Sequence, residues 1–229
     1  MASPLVRQPL REQVREWILQ RVGRGEYGPG HRLVESKLAA ELAISTVPVR
    51  EAIRELAAMG VLGYAAHKGA WVREVSLTET IEALQVRSAL EPLAARLAGA
   101  RMQGRCKDLR GASRAIVSAA RGRDFLKFQE HNQAFHRLIV EAAGNAALVR
   151  TWMSLAFEVR TRVILDFLEA RDPVAIALEH EPIVAAFEEG DVEGAAQLLA
   201  THSENLVRYL EQQRESVGLA APVSRSACG

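Results

Sequence analysis

Four side chains of this 229-residue chain stand at spacings that can hold a cation. Asn132 and His136 are four apart in a segment, 123–143, whose Phe125, Phe128, Phe135, Ile139 and Ala142 recur at helical spacing. Asn132 falls on that buried stripe, and His136 lies one turn further, flanking it. His180 shares a face with Ile176, Ile183 and Phe187, and His202 with Ala195, Leu199, Leu206 and Tyr209. Three helices thus turn one imidazole each towards one interior. Burying such a group without a partner costs on the order of 1–3 kcal/mol. A shared divalent ion satisfies all three, and imidazole suits zinc first, with nickel or manganese as alternatives. His131 is rotated about 100° from Asn132 and stays outside the set.

Other readings of the cluster stay open. Each histidine can be a satisfied core residue, or the metal can be absent and the interior can take a ligand directly. Three histidines around an ion also describe a catalytic zinc. Against a helical metalloenzyme, no glutamate stands in an HExxH context, and no general base is evident beside Asn132. Glu179 and Glu181 flank His180 but are expected to point elsewhere. No enzymatic activity is expected.

A second group of side chains suits phosphate and base edges. A helix expected over Thr46–Met59 buries Ile53, Leu56, Ala57 and Gly60 and leaves Thr46, Val47, Arg50 and Arg54 on the other face. The guanidinium fork of Arg50 can address guanine or phosphate at two points. The alternative is that Arg50 and Arg54 pair with Glu51 and Glu55 on a solvated helix.

The elements that must position these groups follow from the same periodicities. A first helix begins near Pro9 and carries Leu10, Val14, Trp17, Ile18 and Val22 on one face. A short helix covers Glu35–Leu42, and a three-residue turn, Ala43-Ile44-Ser45, leads into the helix of Arg50, capped by Ser45 or Thr46. Strand-like runs at Val61–Tyr64 and Ala70–Arg73 enclose a polar tip, His67-Lys68-Gly69. Helices with a short turn and a β-hairpin make a winged helix-turn-helix. From Leu77 onward only helical periodicity remains, in six segments: 77–102, 106–121, 123–143, 146–170, 173–189 and 192–213. The expected fold is therefore mainly α: a winged helix-turn-helix over 1–75, an all-helical bundle over 76–215, and a disordered tail over 216–229.

Charge and composition agree with this division. Residues 1–75 carry 11 Lys and Arg against 8 Asp and Glu, whereas the rest carries 18 against 20. A basic head on an acidic body fits phosphate contact by the head alone. The two cysteines, Cys106 and Cys228, form no CxxC pair and imply a reducing compartment. The first residues lack a signal-peptide layout, and no apolar run reaches the roughly 18–20 residues of a membrane span. A cytoplasmic location without membrane contact is expected.

The head resembles the GntR family of bacterial regulators. The resemblance rests on Pro29-Gly30-His31-Arg32-Leu33, Leu38-Ala39, Pro48-Val49-Arg50-Glu51-Ala52-Ile53 and Gly60-Val61-Leu62. It implies DNA contacts by Arg32, by Arg50 at the start of the recognition helix, and by the wing-tip Gly69, with Lys68 beside it. The body is similar to the FCD domain of the FadR subfamily. The carrying motifs are Val86-Arg87-Ser88-Ala89-Leu90-Glu91, Asn132 with Phe135-His136, Gly144-Asn145, Glu179-His180, Gly190-Asp191 and His202. Metal-binding members use an aspartate four residues before the first histidine, that histidine and two later ones. The resemblance thus implies Asn132, His136, His180 and His202 as ligands, with an amide in place of the charged carboxylate. It also implies a homodimer on a pseudo-palindromic double-stranded operator, controlled by a small organic acid. Arg87 is a candidate clamp for that acid's carboxylate, or else an ion-pair partner of Glu91.

At one reading position this head departs from its relatives. The family usually has Ser-Arg-Thr-Pro where this chain has Ser45-Thr46-Val47-Pro48. Threonine cannot make the bidentate contact of an arginine. Thr46→Arg is expected to restore discrimination of about 1–3 kcal/mol at one operator position. Affinities measured across single-base operator variants check this, and an unchanged profile at every position refutes it.

Overall fold

The computed structural model describes residues 9–168 and 172–216. Apart from Ser216, the expected tail lies outside the described residues. The chain divides into two units. One comprises residues up to Val75 together with Met153–Arg162, and the other Ser76–Trp152 and the residues from Val163 onward. The sequence periodicity assigned Met153–Arg162 to the helical body, but this stretch belongs with the head.

In the first unit, α1 (Leu10–Gly23), α2 (Glu35–Glu41) and α3 (Thr46–Ala58) surround a core that includes Ile18, Val49, Ala52, Ile53 and Leu56. Leu10, expected on the inner face of α1, is exposed instead. It is the first residue of α1. The α2–α3 turn passes through Ala43 at φ 53°, and Ser45 occupies the N-cap of α3 without a side-chain capping bond. The sheet has three antiparallel strands, β1 (Arg32–Leu33), β2 (Leu62–Ala65) and β3 (Gly69–Val72), in the order β1-β3-β2. Two-residue β1 has no alternation to read, so only the hairpin was legible in advance. Ala156 and Val159 pack into this same core.

The second unit is helical: α4 (Leu77–Ala98), α5 (Ala100–Gln103), α6 (Cys106–Arg121), α7 (Phe125–Ala142), α8 (Ala146–Ser154), α9 (Phe157–Leu168), α10 (Pro173–Leu178), α11 (His180–Glu189) and α12 (Val192–Ser216). Both α8 and α9 run across the boundary between the units. A capping box between Ser76 and Glu79 starts α4. Three expected segments are each broken once. Gly99 interrupts the first at φ 40°, and Ala156 interrupts the fourth at φ 49°. The third break, at Glu179, has a clear cause. Pro182 has no N–H for the carbonyl of Leu178, and its ring would crowd that carbonyl. The chain therefore starts a new helix at His180, which places Pro182 in a first turn.

One close approach shapes the wing. Trp71 on β3 lies opposite Gly63 on β2 and Arg32 on β1. A Cβ on Gly63 would sit 2.3 Å from the Trp71 ring. Gly63→Ala is expected to destabilise the head by about 1–3 kcal/mol through this overlap. Urea unfolding checks the value; wild-type stability would show that Trp71 moves aside freely.

Candidate metal centre and nucleic-acid interface

The three histidines expected to converge do so. His136 comes from the buried face of α7, His180 is the first residue of α11, and His202 projects from mid-α12. All three are buried. One ligand atom from each lies within 4.8 Å of those of the other two. His136 Nε2 and His180 Nε2 are 3.4 Å apart. Phe135 closes one side, its ring edge-on to both His136 and His180.

Partners on the far side of each ring decide what the near side offers. His136 Nδ1 lies 2.9 Å from Glu91 Oε2, His180 Nδ1 3.1 Å from the Ala177 carbonyl, and His202 Nδ1 2.8 Å from Glu179 Oε2. A carbonyl and an ionised carboxylate can only accept, so each Nδ1 carries the proton. In the neutral rings every Nε2 is then a bare lone pair. Two such acceptors 3.4 Å apart cannot bond to each other, and a cation between them would satisfy both. Two nitrogens each about 2.0–2.1 Å from a tetrahedral zinc stand ~3.3 Å apart, so the His136–His180 spacing fits. The donor set suits a divalent ion, with the outer carboxylates fixing ring orientation as metal sites require.

Electrostatics keep His136 and His180 in that state. Burial depresses the His136 pKa to about 4, with the Arg87 guanidinium adding to the shift while Glu91 opposes it. Burial, then His202 and His136, hold His180 well below its ordinary value. For Glu91 burial works towards a higher pKa. Arg87, His136 and the bond from Trp152 outweigh it and hold the carboxyl at about 2. Glu91 Oε1 accepts from Arg87 Nε at 2.7 Å and from Trp152 Nε1 at 2.8 Å.

One placement differs from the sequence-based expectation. Glu179, expected to point away, reaches His202 from the junction between α10 and α11. Arg87 is buried in an i,i+4 pair with Glu91. Asn132 is buried on α7 one turn before His136. Glu91 was missed as the outer partner of His136, and Trp152 as a donor to Glu91. Glu91 was visible only as a partner for Arg87, and nothing in the local pattern ties Trp152 to it.

In the head, Arg32, Thr46, Val47, Arg50, Arg54, Lys68 and Gly69 are all exposed. Val47, a large apolar side chain, is 56% exposed at the start of α3, where a major-groove reader would stand. Arg50 Nε bonds Glu35 Oε2 at 2.8 Å. Glu55 is engaged by Arg11 and Arg15 of α1. The i,i+1 pairings first considered for Arg50 and Arg54 are therefore not those formed. His67 and Gly69 adopt left-handed conformations at the wing tip.

Comparison with known proteins supplies context for both sites. Residues 10–72 match the model of the bacterial regulatory proteins of the gntR family, and residues 82–205 match the FCD domain. A probable D-xylose utilization operon transcriptional repressor from Paenarthrobacter nicotinovorans is 40% identical, covering 93% of both chains. The HTH-type transcriptional repressor RspR of Escherichia coli K12 is 22% identical over 91% of this chain and 92% of its own. Among solved structures, E. coli McbR/YncC superposes with a TM-score of 0.71 at 26% identity, covering 90% of this chain and 99% of that one.

The buried histidines imply a stability profile for metal-free protein. Above about pH 6.5 neither the folded nor the unfolded chain protonates His136. Between there and about pH 4 only the unfolded chain does, so stability falls as pH falls. The loss from His136 is on the order of 3 kcal/mol. Urea midpoints between pH 7 and 4, in chelator, should decline across this window; a flat profile refutes the depression.

Proposed function

This chain belongs to the GntR family of bacterial regulatory proteins and carries an FCD domain, and from that premise we propose how its DNA binding is controlled. It is a transcriptional regulator of a family that contains named repressors, not an enzyme. The proposal is a homodimeric repressor that places two α3 helices on a pseudo-palindromic operator. Thr46, Val47, Arg50 and Arg54 meet base edges or phosphates, while Arg32, Lys68 and Gly69 hold the backbone. In the second unit His136, His180 and His202, with Asn132, hold a divalent ion, zinc by the tetrahedral fit. The protein works in the cytoplasm, where its operator is.

One observation carries the metal reading. Three buried imidazoles have their Nδ1 atoms taken by acceptors, and two of the freed Nε2 atoms face each other at 3.4 Å. The ion supplies Lewis acidity and positive charge at the centre of the unit. Around it, Asn132 brings no charge, so an anionic effector can complete the coordination. A small organic acid is the matching class. The 40% identical relative is named for D-xylose utilization. A sugar acid, which joins a carboxylate to hydroxyls, fits both lines. Arg87 contributes its positive charge from behind Glu91. Effector binding shifts the chain between operator-competent and incompetent states only as far as it binds one of them more tightly.

Calorimetry with pentoses and the corresponding aldonic acids, with and without zinc, tests this. Acid affinity is expected to rise at least tenfold with zinc, a coupling of about 1.4 kcal/mol. Asn132→Asp is expected to tighten zinc binding and weaken the acid. Equal acid affinity with and without zinc defeats the reading.

A further inference from the structure

We infer that Trp152 is the positioning residue through which occupancy of the histidine centre is communicated to the DNA-binding unit. The inference rests on the proposed metal reading and goes beyond it. Metal binding alone does not explain how a buried site in one unit changes a reading helix in the other. A ligand shifts an equilibrium only through an element that differs between the two states.

The chain of contacts is short. His136 meets Glu91 through Nδ1 and Oε2, and the other oxygen of the same carboxylate accepts from the Trp152 indole. A carboxylate is rigid, so an ion that drew the His136 ring towards its Nε2 side would tilt both oxygens of Glu91. Trp152 is 2% exposed and has no solvent to turn into. Its neighbour, Met153, is the first residue of the stretch 153–162 that belongs to the DNA-binding unit. Within that stretch Ala156 is fully buried, and both Ala156 and Val159 join the core formed by α1 and α3 residues. Further along, the Arg162 guanidinium lies against Gly25, just beyond α1, where a Cβ would meet it at 2.5 Å.

A left-handed residue sits just beyond this boundary. Ala156 has φ 49°, a left-handed conformation that non-glycine residues rarely adopt. It separates α8, which carries Trp152, from α9. Strain of this kind concentrates at segments with two accessible arrangements. The indole is thus the last group bonded to the histidine centre before the chain enters the head's core.

The test uses full-length protein, zinc chloride, and a fluorescent duplex selected from a random library by the protein itself. In the wild type, zinc is expected to change duplex affinity by about tenfold. Trp152→Phe removes the N–H donor and keeps an aromatic ring, while Arg87 and His136 still hold Glu91. That variant is expected to bind zinc within about threefold of wild type, with the zinc effect on duplex affinity reduced below about twofold. Normal zinc binding with the full zinc effect overturns the relay and leaves the metal centre standing. A wild type that retains no zinc overturns both. Hydrogen exchange on the wild type decides the matter without any variant. Zinc is expected to slow exchange across residues 153–162, and unchanged exchange there overturns the inference.

Discussion

Withdrawing the Glu91 carboxylate from water costs several kcal/mol unless donors replace the lost solvent. Three donors do so: Arg87 from the same helix, His136 from α7 and Trp152 from α8. Each donor is itself buried, so each depends on the carboxylate as much as it depends on them. Loss of the charged partner, Arg87, typically costs about 3–5 kcal/mol, because it strands an uncompensated charge. The arrangement therefore fixes α4, α7 and α8 in mutual register as firmly as apolar packing does. It also fixes the tautomer of His136, which makes the histidine centre a set of lone pairs and not a set of protons.

Proline sets the position of both functional groups. Pro48 is the third residue of α3 and Pro182 the third of α11. Neither has an N–H, so each is tolerated only where the helix needs none. In α3 this fixes the helix start and leaves Thr46 and Val47 at its open end, facing outward. In α11 it sets the helix junction at which Glu179 meets His202 and His180 Nδ1 meets the Ala177 carbonyl. One physical rule thus aims a DNA reader in one unit and a ligand in the other.

What could be read from the sequence follows from the range of each interaction. Helical periodicity located His136, His180 and His202 on buried faces, because i,i+3/i+4 spacing is a local property. The hairpin was legible from Gly69 and the alternating residues around it. Two-residue β1 was not, since Arg32 and Leu33 are extended only by pairing with β3. Pro182 was a visible signal for the break at Glu179, and overlooking it is why Glu179 was expected to point away. Ala156 has no such signal; nothing in Met153-Ser154-Leu155-Ala156-Phe157 announces a left-handed residue. The Trp152–Glu91 bond spans 61 positions and was out of reach of any local pattern. The same holds for the assignment of Met153–Arg162 to the head, which tertiary packing decides.

The outer carboxylates change the electrostatic meaning of Asn132. On composition alone, three neutral imidazoles and an amide make a weak site for a dication. With Glu91 and Glu179 each bonded to a ligand ring, two formal negative charges stand one bond further out, and Arg87 offsets one of them. A divalent ion would then leave the centre with one net positive charge. An aspartate at position 132 would cancel it, whereas the amide preserves it. A residual charge in a dry interior attracts a monoanion far more strongly than it would in water, because the local dielectric is low. The substitution that weakens direct coordination is on this reading what makes the ion receptive to a carboxylate. Sensor specificity then depends as much on the charge left unbalanced as on the ligands supplied.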